Sequence, residues 1–123
     1  MLTEKQQEIY DEITGKIMRY FGKTIEDATE MMVYKACAYT VRDEIMRKWQ
    51  QSHAAVKEMQ AKKLYYLSSE FLMGRLLGTN MLNLALTEDY RKVFEHIGAR
   101  VAQGVYRMAH AVDQARSVEG FPV

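Results

Sequence analysis

The side chains of this chain that are best placed for chemistry sit together in Ser68-Ser69-Glu70-Phe71-Leu72-Met73-Gly74-Arg75. A carboxylate, a guanidinium and two hydroxyls share one turn. In this setting Glu70 pairs with Arg75 or caps a helix starting near Leu76. Ser68 and Ser69 lack the G-x-S-x-G elbow that exposes a hydrolase nucleophile. Tyr65 and Tyr66 carry rings of the kind that stack on sugars. Consecutive strand residues face opposite ways, so at least one of them serves the core. His53, His96 and His110 have no metal-ligand spacing, and Cys37 has no partner near it in sequence. No metal ligands are expected, and these read as surface histidines and a packed core cysteine. The chain has no Walker loop and no G-x-G-x-x-G. Gly74 and Gly78 form a G-x-x-x-G, but Arg75 lies between them, which argues against membrane dimerisation.

The elements that must position this turn read mostly as helix. Thr3 caps a first helix, with Gln6 completing a capping box. Ile9, Ile13, Ile17 and Phe21 recur every four residues, and the helix ends near Gly22. Thr24 and Asp27 offer the next start signals. Val33, Cys37, Val41, Ile45 and Trp49 then form a second stripe, on a helix that runs on through residues 54–60. Such a helix is about 45 Å long at 1.5 Å per residue. Residues 63–68, rich in aromatics and without helical period, predict one short buried strand. Residues 76–86 read as a buried helix. Thr87 caps another helix over 88–96, which ends at Gly98. The tail places Val101, Val105, Met108 and Val112 at helical spacing. One strand cannot satisfy its own backbone, so it requires a second chain or a larger sheet.

Composition sets the outer limits. The 123 residues are 48% hydrophobic and 27% charged, ordinary globular usage for one domain or part of one. A net charge of +1 offers no overall field for nucleic acid or an anionic membrane. The acidic N-terminus is not a signal peptide, no run is long and apolar enough to span a bilayer, and a lone cysteine suits a cytoplasmic setting.

Three stretches carry a resemblance. Tyr39-Thr40-Val41-Arg42-Asp43 is followed by Trp49; Tyr65-Tyr66-Leu67 leads into the Ser68–Arg75 turn; Met81-Leu82-Asn83-Leu84-Ala85-Leu86 comes third. In order and spacing they resemble the α-1,4-glucan phosphorylases, the glycogen, starch and maltodextrin phosphorylase family, over residues 27–98. The resemblance implies an α/β architecture of the glycosyltransferase-B type, of which this chain is an N-terminal fragment. It implies phosphorolysis of α-1,4-glucan to glucose 1-phosphate, with pyridoxal phosphate held by a lysine of a C-terminal domain that this chain lacks. It implies α-1,4-glucan and phosphate as substrates, a homo-oligomer, and no nucleic-acid or membrane partner. Glu70 matches the glutamate near the glucose pocket. Phe71, Leu72, Gly74 and Arg75 match residues lining the cofactor cleft, with Leu72 standing where many members have tyrosine.

Residues 1–98 are expected to form the N-terminal segment, with the resemblance clear over 27–98, and residues 99–123 a divergent tail. Gly98, Gly104 and Gly120 do not make the family's glycine-rich phosphate loop. By spacing from Trp49, Lys57 stands where animal members bind AMP through a tyrosine. A frameshift or premature stop is the expected explanation of the divergent tail, and an independent helical C-terminus is the alternative. The segment alone is expected to be inactive; the alternative function is a stand-alone helical interaction module.

Overall fold

A computed structural model of the chain describes residues 1–69 and 76–118. Five helices follow in order: α1 (Glu4–Phe21), α2 (Glu30–Glu58), α3 (Leu76–Asn83), α4 (Thr87–Ile97) and α5 (Ala99–Val118). The α1 signals act as the sequence dictates. The Thr3 hydroxyl accepts from the Gln6 N–H at 3.4 Å, and the Thr3 N–H donates to Gln6 Oε1 at 3.1 Å. Gly22 then takes φ 62°, the left-handed cap open to a residue without Cβ, and its N–H donates to the Met18 carbonyl. The start of α2 differs from expectation. Thr29 caps it, accepting from the Met32 N–H, while Thr24 and Asp27 bond to each other in the preceding turn. Thr87 also differs: it lies inside α4, whose cap position is Leu86 with no side-chain cap bond.

The core lies between these helices. α1 contributes Ile9, Ile13 and Ile17; α2 contributes Val33, Ala36, Cys37 and Val41; α4 contributes Tyr90, Val93 and Phe94. α1 packs on α2 and α4, and α5 packs on α2 and α4 from another side. Val105 of α5 is buried, Val101 and Met108 are half-buried, and the Tyr106 ring meets Phe94 edge-on at 6.0 Å. The tail is thus helical out to Val118, beyond the Val101–Val112 run whose spacing predicts it. The 76–86 segment is less buried than expected. α3 stops at Asn83, where Ala85 turns the chain at φ 56°, and only Met81 of α3 is buried.

The expected α/β class is corrected here: the described residues build helices and no strand. The strand expected over residues 63–68 runs instead as an irregular segment after α2. Leu64, Tyr65, Tyr66 and Leu67 are all exposed, Leu64 at 96%. The physical reason is pairing. A strand exists only through a neighbour's backbone groups, and the described residues contain no second strand to supply them.

Candidate functional site

Glu70, Phe71, Leu72, Gly74 and Arg75 lie outside the described residues, so their roles rest on sequence. Their approaches are described. The chain leaves α2 through Gln60, a non-glycine residue at φ 49°, with the Ala61 N–H donating to the Val56 carbonyl at 3.2 Å. It re-enters the bundle at Leu76 and Leu77, where Leu77 packs against the core. α3 begins directly after the turn, whereas on the other side an irregular, exposed segment, residues 61–69, separates it from α2.

Two clefts among the described residues are lined by titratable side chains. One, of about 280 Å³, runs between α1, α2 and α4 and is lined by Glu8, Glu12, Lys16, Asp43, Glu44 and Tyr90, among others. Its floor is Lys16, only 3% exposed although charged. Lys16 Nζ meets Glu12 Oε2 at 2.5 Å and Asp43 Oδ2 at 3.3 Å, tying α1 to α2. The hydrogen bond from Lys16 holds the Glu12 carboxyl below its ordinary pKa. Above it, Lys5 bridges to Asp89 at 2.6 Å, and that bond holds Asp89 low as well. Sequence reading missed Lys16, whose signal is a lysine inside the Ile13–Ile17 stripe with an acid four residues before it.

The second cleft, of about 400 Å³, is lined by Tyr10, Ile25, Glu26, His96, Ile97, Gly98 and Val101. The Tyr10 and His96 rings meet edge-on at 5.5 Å. Elsewhere Cys37 is fully buried, and burial pushes its thiol pKa far up, so it is a packing residue and not a nucleophile. Tyr90 is pushed up in the same way, chiefly by burial. Among the described residues no three His, Cys, Asp or Glu side chains are grouped to hold a metal ion. None of their helices is long and apolar enough to cross a membrane.

The chain is 35% identical over 77 residues to the glycogen phosphorylase of Synechocystis sp., covering 63% of this chain and 9% of that protein. It is 46% identical over 59 residues to the muscle form of Ovis aries, 48% of this chain and 7% of that protein. The Bacillus subtilis glycogen phosphorylase is 30% identical over 82 residues, 67% of this chain and 10% of that protein. The matched stretches thus span about a tenth or less of these relatives. No family model matches the chain, and no solved structure matches it. The chain carries an N-terminal segment of the glycogen phosphorylase family.

The described residues do not fit pyridoxal phosphate. A Schiff-base lysine must lose its proton, and the cofactor's phosphate needs cationic or N–H donors. Lys16, the buried lysine, is held between two carboxylates, and the other cations lining that cleft, Lys5 and Arg47, are paired with Asp89 and Glu44. The Tyr10–His96 cleft carries Glu26 and no lysine or arginine.

Proposed function

We propose that this chain is the N-terminal scaffold of an α-1,4-glucan phosphorylase, a cytoplasmic homo-oligomer that uses phosphate to release glucose 1-phosphate. The carrying observation is the 46% identity over 59 residues to a muscle glycogen phosphorylase, joined to the Leu64–Arg75 block. In this reading the connection between α2 and α3 presents Glu70 to the glucose pocket, with Phe71, Leu72, Gly74 and Arg75 beside the cofactor cleft. Pyridoxal phosphate, when bound by the rest of such an enzyme, supplies the acid–base chemistry through its phosphate. The exposed Leu64–Leu67 run supports the same reading, because four large consecutive apolar side chains in water are built to be covered.

On this reading residues 1–98 form the family segment and residues 99–123 a distinct tail. The packing of α5 on α2 and α4 favours a true structural element over out-of-frame translation. The chain alone is inactive. A chimaera tests the proposal: residues 1–98 replace the matching segment of a glycogen phosphorylase, and glucose 1-phosphate release from glucan and phosphate is measured. The chimaera is expected to turn over while the isolated 123-residue chain does not. Within the chimaera, Glu70→Gln lowers kcat/KM on the order of tenfold or more, the worth of one lost bond to a charged group. A folded chimaera without turnover, or an active isolated chain, refutes the proposal.

A further inference from the structure

The last helix sits on the three before it. α5 packs on α2, α3 and α4, and its grip is close. Val105 is buried in the same core cluster as Val33, Val93 and Phe94. The Tyr106 ring meets Phe94 edge-on at 6.0 Å. Gly104 brings the α5 backbone so near α2 that a Cβ there falls 2.4 Å from the Glu30 side chain. Val101 and Ala102 pack against the same core, partly buried. The face beneath α5 is therefore apolar, and α5 is what keeps water from it.

On the phosphorylase reading, residues 27–98 have counterparts in those enzymes and residues 99–123 do not. α2, α3 and α4 all lie within that segment. The matched stretches are 7 to 10% of the relatives' length, so most of each enzyme remains to pack around them. A face buried under α5 here needs another cover there, because apolar surface left in water forgoes the main force that holds the helices together. Two covers cannot hold one seat at once. We propose that α5 is an autoinhibitory cover. It occupies the face of α2, α3 and α4 through which this segment joins the remainder of a phosphorylase. The occupant it excludes is the phosphorylase polypeptide beyond the matched segment. This inference rests on the phosphorylase reading and goes beyond it.

Two chimaeras test it. One carries residues 1–98 in place of the matching segment of a glycogen phosphorylase, and the other carries residues 1–123, α5 included. Glucose 1-phosphate release from glucan and phosphate is measured for both. The 1–123 chimaera is expected to be slower by on the order of tenfold or more, because the seated α5 keeps the face closed. Val105→Asp places a carboxylate where the buried valine sat and unseats α5. In the 1–123 chimaera this change is expected to raise turnover on the order of tenfold, toward that of the 1–98 chimaera. An insertion that only disturbs the junction gives no such gain. Limited trypsin digestion is a readout besides activity. Arg107 lies on α5, so cutting after it becomes faster once the helix is displaced. Equal turnover of the two chimaeras, or a Val105→Asp change that leaves the 1–123 chimaera slow, overturns the inference alone. A folded 1–98 chimaera without turnover refutes the phosphorylase reading, and the inference falls with it.

Discussion

Lys16 is the residue where the physics of this fold is most exposed to a test. Its side chain is buried, and Glu12 and Asp43 pair with its ammonium. Removing one partner leaves the other in place. Glu12→Gln therefore costs under about 1 kcal/mol at neutral pH, since Glu12 is itself largely exposed. Glu12→Gln combined with Asp43→Asn strands the buried ammonium and costs about 3–5 kcal/mol, more than the two single changes together. Urea denaturation of the three variants measures both. The pH dependence follows from Glu12. Its pKa is held down in the folded state, so the contribution is fully present above the unfolded carboxyl value of 4.5. It is lost as pH falls through the folded value. The wild-type chain is expected to lose stability over that acid range more steeply than Glu12→Gln. Equal slopes count against the pairing as drawn.

At the scale of elements, legibility follows how local the cause is. The α1 cap, its four-residue stripe and its glycine stop are set within the helix itself, and the sequence showed all three. The strand at residues 63–68 was misread because its apolar, aromatic run is equally the mark of a segment covered by other polypeptide. Strand or no strand is decided by a neighbour, and that information is not in the run. The turn with Glu70 was found through a motif whose surroundings the described residues do not reach. Lys16 was passed over because a lysine among isoleucines reads as solvated until a second helix supplies Asp43. The close crossing of α5 on α2 was equally invisible, and it makes a prediction. A Cβ at Gly104 falls 2.4 Å from the Glu30 Cγ and Cδ and 2.9 Å from its Cβ. Gly104→Ala gains about 1 kcal/mol in helix propensity and must displace Glu30, with its long pairing to Arg107 at 3.9 Å. It is expected to lie near neutral in the wild type and to be clearly more favourable in a Glu30→Ala background. Thermal melts of the four-member cycle check this, and identical effects in both backgrounds disprove the crossing.

For the whole molecule the question is whether the five helices of the described residues, with no strand among them, hold together. The core is small, and a domain of this length buries only enough apolar surface for marginal stability. α1 and α5 each pack on α2, α5 through Val105, and α4 packs on α1 and α5, with the Tyr106–Phe94 contact locking it to α5. Cutting the chain after Gly98 uncovers the faces that α5 packs on. Burial of Val105 alone is worth about 1.5–3 kcal/mol, and Val101 and Ala102 add partial shares against the same core. That sum is a large fraction of what so small a bundle has. The 1–98 chain is therefore expected to lose the cooperative urea transition of the full chain. Its helical signal falls by more than the deletion of α5 itself removes. If 1–98 instead unfolds cooperatively at nearly the same midpoint, α5 is an appendage, and the case for the tail as a selected element fails with it. Cooperativity of 1–98 restored inside a phosphorylase chimaera is the outcome expected if further polypeptide takes the place of α5 as the cover.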